Sequence, residues 1–108
     1  MKMNFQTFWN TVKSNSHDFV LKTLDRGLEF QISPNSNYPL IPNSDVLYVT
    51  PKSTGKERPI QKSQFMKVWE YSKSITKPYI PSNYTLITYN SSYIVSLMKH
   101  VLGEQKIE

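Results

Sequence analysis

The spacing of apolar residues near the start of the chain predicts an amphipathic helix. Four apolar residues recur at intervals of three and four positions, which places them on one helical face: Phe5, Phe8, Trp9 and Val12. Asn4 precedes this face, and an asparagine there can accept a hydrogen bond from the first turn. The pattern therefore predicts a first helix that begins after Asn4 and buries one side.

Two further helices are predicted in the second half of the chain. The first of them is capped by Ser63, and its buried stripe consists of Phe65, Met66 and Trp69. The last helix starts from the capping residues at 90–92 and ends at Gly103, because glycine readily adopts the conformation that follows a helix. Its wide apolar face consists of Tyr93, Ile94, Leu97, Met98, Val101 and Leu102.

The segments between the helices carry the alternation that is typical of strands. Residues 19–24 fit a strand or a short helix; the strand is favoured because the turn at 25–27 leads into alternating residues 28–32. Residues 45–50 (DVLYVT) are almost continuously apolar, which indicates a central strand. Residues 84–89 (YTLITY) alternate and predict either a fourth strand or an extended lead-in to the last helix.

Proline-rich connections separate these elements. Residues 33–44 contain three prolines and predict an irregular loop, and residues 51–59 predict a basic turn. The order of helix, strands, helix, helix predicts an α+β fold: a small antiparallel sheet of three to four strands with an N-terminal helix and two C-terminal helices packed on it. The 108 residues suffice for one domain, 1–108.

The composition of the chain excludes several classes of site and segment. The chain has no cysteine, which excludes disulfides and thiolate metal sites, and it has no apolar run of membrane-spanning length. The start of the chain lacks an apolar run of signal-peptide length. We therefore expect a soluble, cytoplasmic protein.

Charge is concentrated in one quarter of the chain. Residues 51–77 hold seven basic and two acidic side chains, a net charge of +5, whereas the remainder is balanced at six of each. A segment of one sign attracts polyanions, so nucleic acid, with DNA favoured, is the predicted partner. The predicted nucleic-acid-binding residues are Lys52, Lys56, Arg58, Lys62, Lys67 and Lys73.

The geometry of these residues supports phosphate contacts. Arg58 is the best candidate for a bidentate contact, because the guanidinium fork matches a phosphate. Lys62 and Lys73 are about three helical turns apart and share a face, and Lys67 lies roughly 140° around the helix from Lys62. Tyr71, and also Tyr79, could stack on a base or a sugar.

The chain offers little catalytic chemistry. Residues 53–56 (STGK) lack the earlier glycine and the following Ser or Thr of a phosphate-binding loop. His17 and His100 have no neighbouring acid or cysteine, and the eight acids are scattered singly, with residues 104–106 in a predicted frayed tail. We therefore predict a non-enzymatic protein without metal or cofactor.

A protein-binding role is the alternative. Tyr38 in the proline loop and Tyr79 between two prolines would then form an exposed surface for another chain. A homodimer through the proline loop or an edge strand is also compatible with the sequence.

The second half of the chain resembles small accessory modules of prokaryotic mobile elements, such as integron-cassette proteins and DNA-reading appendages of restriction systems. The residues that carry this resemblance are Gly55, Arg58-Pro59-Ile60, Phe65 with Trp69, and the run 90–94 (NSSYI). The resemblance implies a stand-alone DNA- or protein-binding module without enzymatic activity. It makes Arg58 and Ser92 candidate contacts.

Overall fold

A four-stranded antiparallel sheet forms the centre of the computed structural model, which describes residues 1–15, 20–34 and 45–108. The elements in chain order are β1 (Lys2–Met3), α1 (Phe5–Asn15), β2 (Val20–Lys22), β3 (Glu29–Ser33), β4 (Val46–Pro51), β5 (Arg58–Gln61), α2 (Lys62–Ser72), a 3₁₀ helix (Pro81–Tyr84), α3 (Ser91–Leu102) and β6 (Lys106–Ile107). The strand order β2-β3-β4-β5 confirms both the α+β class and the interior position of β4. Residues 16–19 and 35–44, with His17, Phe19 and Tyr38, lie outside the described residues.

The strand pairing explains which side chains are buried. Leu21 pairs with Phe30, and Leu47 pairs with Ile60, and all four side chains face the helices. Alternate residues point to opposite faces of a sheet, so this register gives the sheet one apolar side. The turn between β2 and β3 is closed by a hydrogen bond from Thr23 N to Leu28 O of 2.9 Å, which confirms the predicted hairpin.

Residues 84–89, predicted as either a fourth strand or an extended lead-in to the last helix, are neither. Residues 84–89 form the end of the 3₁₀ helix and a turn, with Tyr84 fully buried and Leu86 fully exposed. The strand that pairs with β4 is instead β5, which contains Pro59. An edge strand tolerates proline, because an N–H on its outer side has no neighbouring strand as a partner.

The helices pack on the apolar side of the sheet around a cluster of aromatic rings. Trp69 lies 5.1 Å from the ring of Phe8 and 5.6 Å from the ring of Phe5, and Trp9 lies 5.3 Å from Phe65. The backbone N–H of Thr7 donates to Asn4 Oδ1 at 2.8 Å, which confirms the predicted cap of α1.

Helix α2 begins two residues earlier than predicted. It follows Gln61 directly, with the Lys62 N–H bonded to Asp45 O at 2.7 Å, so Ser63 lies inside the first turn and is not the cap. The buried side of α2 consists of Phe65, Val68, Trp69 and Ser72. Met66, predicted to belong to the buried stripe, is 46% exposed, because the apolar face turns toward position 68.

The predicted frayed tail is also wrong. Strand β6 pairs in parallel with β1, and the backbone N–H of Glu108 donates to Met3 O at 2.9 Å. The indole N–H of Trp69 donates to Glu108 O at 2.9 Å. Backbone pairing and a buried tryptophan therefore fix residues 104–108 to the body of the protein. Among the described helices, none is long and apolar enough to cross a membrane.

Candidate nucleic-acid interface

The turns of both hairpins lie at the same end of the sheet. Because neighbouring strands run in opposite directions in the order β2-β3-β4-β5, the β2–β3 turn and the β4–β5 turn lie at the same end of the strands. Two contacts tie them together: Lys52 N donates to Glu29 O at 3.0 Å, and the Lys52 ammonium lies 3.1 Å from the Glu29 carboxylate. We call residues 22–28 and 52–58 the hairpin end.

Helix α3 begins against the hairpin end. The Leu24 N–H donates to Ser96 Oγ at 2.9 Å, and Ser92 Oγ donates to Asp25 Oδ2 at 2.9 Å. Between the helix and the two turns lies an open groove of about 220 Å³. Its charged and aromatic lining comprises Asp25, Arg26, Arg58, Tyr89, Ser92 and Tyr93, and we call it the arginine groove.

Arg58 is held in this groove by two contacts. Its Nη1 donates to Asn90 Oδ1 at 3.1 Å, and its guanidinium carbon lies 5.6 Å from the centre of the Tyr93 ring. A guanidinium has five N–H hydrogens, and Asn90 accepts one of them. The side chain is exposed, so the fork keeps its capacity to donate to an anion in the groove.

Asp25 is the acid in the lining of the arginine groove. Partial burial acts to raise the pKa of Asp25, but hydrogen bonds from Ser92, Thr23 and backbone N–H groups outweigh it, and the pKa lies below its ordinary value. The carboxylate is therefore ionised at neutral pH. With Arg26 and Arg58 the groove keeps a net charge of +1.

A buried polar network fixes the loop that leads into α3. Gln64 Oε1 accepts from Thr88 Oγ1 at 2.6 Å and from Asn90 Nδ2 at 3.0 Å. The Asn90 N–H donates to Thr88 Oγ1 at 3.0 Å. Asn90 is the residue before α3, as predicted, but its side chain bonds Arg58 and Gln64 and does not cap the helix. Strand β5, helix α2 and the loop are thereby joined at one point.

The other end of the loop is fixed by Tyr84. Its ring is fully buried, and its hydroxyl donates to Pro78 O at 2.6 Å. Burial, with smaller effects of Tyr79 and Tyr71, raises the pKa of Tyr84 to about 12, so the hydroxyl keeps its proton and its hydrogen bond across the physiological range.

Two large apolar side chains project from this fixed loop into solvent. Leu86 is 101% exposed and Tyr89 is 99% exposed, whereas Thr88 and Asn90 beside them are buried. Their exposure was not predicted from the sequence, where the alternation of residues 84–89 indicated a strand or an extended lead-in. The loop buries Tyr84, Thr88 and Asn90 and exposes Leu86, so its burial does not follow the alternation.

The structure divides the six predicted binding residues into two groups. One group, at the hairpin end, consists of Lys52, Lys56 and Arg58. The other group lies along α2 and at its C-terminal end and consists of Lys62, Lys67 and Lys73. Lys62 Nζ lies 5.9 Å from the centre of the Trp9 ring, and Lys73 Nζ lies 3.2 Å from Glu70 Oε1.

Two cations at the hairpin end come from outside the basic segment. Arg26 lines the arginine groove, and Lys22 lines a neighbouring groove together with Lys52. Neither stands out in the sequence, because each is a lone basic residue in a segment without net charge. Hairpin pairing brings them to the basic turn.

The two tyrosines predicted to stack are less accessible than Tyr89. Tyr71 is 43% exposed and packs edge-on against Tyr84 with 5.8 Å between ring centres. Tyr79 is half-buried against the core, and the Lys99 ammonium lies 5.0 Å from its ring centre.

Within residues 1–15, 20–34 and 45–108, no group of three or more His, Cys, Asp or Glu side chains is placed to hold a metal ion. Comparison of the chain with protein-family models, curated proteins and solved structures gave no match. The resemblance to mobile-element modules therefore stays a prediction.

Replacing Gln64 with leucine should destabilise the protein by about 2 kcal/mol. The change leaves the Thr88 hydroxyl and the Asn90 amide buried without their common acceptor, and a buried unpaired polar group costs about 1–3 kcal/mol. Urea unfolding measures this loss. The same change at exposed Gln61 is the control and should alter stability by less than about 0.5 kcal/mol. Equal effects at the two positions would contradict a role for the network.

Proposed function

We propose that the protein is a non-enzymatic nucleic-acid-binding protein and that the hairpin end, with Arg58 at its centre, is the interface. The observation that carries this proposal is the convergence of Arg58 and Arg26 in one groove beside the exposed ring of Tyr89. Guanidinium groups beside an exposed aromatic ring suit a chain of phosphates and bases.

The surrounding lysines extend the interface along a phosphate backbone. Lys56 is exposed on the β4–β5 turn, and its backbone N–H is held by Thr54 Oγ1 at 3.2 Å. Lys22 lies beside the same turn. Together with Arg26 and Arg58 these residues supply four cationic contacts.

Acidic residues reduce the net positive charge of the hairpin end. The hairpin end holds five cations and the acids Asp25 and Glu57, a net charge of +3, and Glu29 directly beside it lowers the combined charge to +2. Asp25 is bonded to Ser92, and Glu29 is paired with Lys52. Affinity would therefore come from individual phosphate contacts, with a modest contribution from the long-range field.

The proposed nucleic-acid partner also suggests where the protein acts. An accessory protein of this kind would meet nucleic acid in the cytoplasm, and a role in a mobile element agrees with the sequence resemblance. Arg58 and Ser92, the contacts which that resemblance implies, both line the arginine groove.

A salt titration tests the proposal. Fluorescence anisotropy of labelled single- and double-stranded DNA and RNA, measured at several salt concentrations, should show binding that weakens as salt rises. Four phosphate contacts predict a slope of log affinity against log salt of about −3 to −4. Absence of binding to all four probes at low salt would overturn the proposal.

A further inference from the structure

Tyr89 is an exposed aromatic residue in an ordered setting. A ring that is 99% exposed contributes little to the packing of the core. It is not on a loosely held segment, because Thr88 and Asn90 on either side are buried and hydrogen-bonded to Gln64. The fold therefore holds the ring outward at a fixed place.

The backbone of the loop adds to this rigidity. The N–H groups of Ile87 and Thr88 both donate to Tyr84 O, at 2.9 and 3.1 Å. Ile87 packs partly against the core. Binding that needs no ordering of the loop loses less conformational entropy, so a ligand of the Tyr89 ring would meet a preorganised surface.

The neighbours of Tyr89 identify the chemistry of the ligand. Arg26 and Arg58 line the same groove, so an aromatic face lies beside two donors suited to phosphate. A nucleotide presents a flat base and a phosphate in one unit. A base on the ring of Tyr89 would leave its phosphate within the groove of the two arginines.

We propose that the nucleic acid is single-stranded and that one of its bases stacks on Tyr89 while Arg58 and Arg26 bind the adjacent phosphate. This inference rests on the proposed function and specifies its substrate. The faces of the bases in a duplex are covered by their neighbours, whereas those of a single strand are accessible to an aromatic side chain. Stacking tolerates any base, so the interaction has little sequence preference.

Substitution of Tyr89 tests the inference. The probes are a fluorescein-labelled oligothymidylate of about 12 nucleotides and a labelled duplex of the same length, read by anisotropy. Tyr89→Ala should weaken single-strand binding about tenfold, because a base on an aromatic ring contributes about that much or more. Its salt slope should stay unchanged, and the duplex affinity should change by less than about twofold.

Two matched variants separate stacking from other effects. Tyr89→Phe keeps the ring and should retain single-strand affinity within about twofold of the unsubstituted protein. Tyr71→Ala removes an exposed tyrosine outside the arginine groove and should also stay within about twofold. Thermal unfolding of Tyr89→Ala should match that of the parent, since the side chain is exposed.

The outcomes distinguish this inference from the proposed function. Salt-dependent binding that Tyr89→Ala leaves intact would overturn the stacking inference and keep the nucleic-acid interface. Equal losses for the single strand and the duplex would overturn single-strand recognition. Absence of binding to both probes at low salt would overturn the stacking inference, and the proposed function is overturned as well if the RNA probes also fail to bind.

Discussion

Replacing Trp69 with alanine is expected to lower the free energy of unfolding by about 4 kcal/mol. The side chain is fully buried and contacts the rings of Phe5 and Phe8, which belong to a different helix. Alanine would leave a cavity and remove these contacts. It would also release the hydrogen bond from the indole to Glu108 O, which holds the last strand in place.

Urea unfolding followed by circular dichroism measures this effect. A protein of this size is stabilised by about 5–15 kcal/mol, so the variant would lose a large fraction of its stability. Trp69→Phe keeps a ring in the core and should cost about half as much or less. Met66→Ala on the same helix is the matched control, and its effect should stay below about 1 kcal/mol because Met66 is half exposed. A larger loss for Met66 than for Trp69 would contradict the observed orientation of α2.

The parts of the fold that the sequence predicts are those with local signals. The spacing of Phe5, Phe8 and Val12 is a helical period, and Asn4 gives α1 its start. Gly103 follows the end of α3 with a φ of +57°, as its place in the sequence predicts. The turn at 25–27 similarly located the first hairpin. In each case a few neighbouring residues determine the local conformation.

Elements that depend on distant partners were missed. Strand β5 contains Pro59 and has four residues, and its pairing with β4 makes it a strand. Strands β1 and β6 have two residues each and lie at opposite ends of the sequence. Alternation at 84–89 suggested a strand, but the Gln64 network and Tyr84 determine which side chains of that segment are buried. The periodicity of 84–89 therefore did not predict burial, because contacts outside the segment bury Tyr84 and Thr88 and leave Leu86 exposed.

The residues of the candidate site likewise divide into those with a local sequence signal and those that only the fold brings together. The charge of residues 51–77 directed attention to Lys56 and Arg58, since a run of basic residues is visible without a structure. Arg26 and Tyr89 come from segments without such a bias, and hairpin pairing and the anchored loop bring them to Arg58. A count of charges also cannot show that Lys52 and Lys73 lie beside glutamates.

Reversing the charge of two residues at the hairpin end should weaken nucleic-acid binding about a hundredfold at 0.1 M salt. The variant is Lys56→Glu with Arg58→Glu. Each lost phosphate contact costs about one order of magnitude at this salt concentration and reduces the magnitude of the salt slope by about 0.7–0.9. Anisotropy titrations of both variant and parent over a range of salt concentrations measure the two effects together.

The matched control reverses the charge of Lys67 on α2 and of Lys73 directly after it, Lys67→Glu with Lys73→Glu. Both variants change the net charge from +5 to +1, so a difference between them reports position and not the overall field. Because Arg58 also bonds Asn90, Lys56→Glu alone gives a version that leaves the groove intact, with about a tenfold loss expected. If the α2 variant loses more affinity than the hairpin variant, the interface follows the helix and the arginine groove is not its centre. If the hairpin variant loses more, the interface lies at the hairpin end, where Arg58 lines one groove with Arg26 and Tyr89.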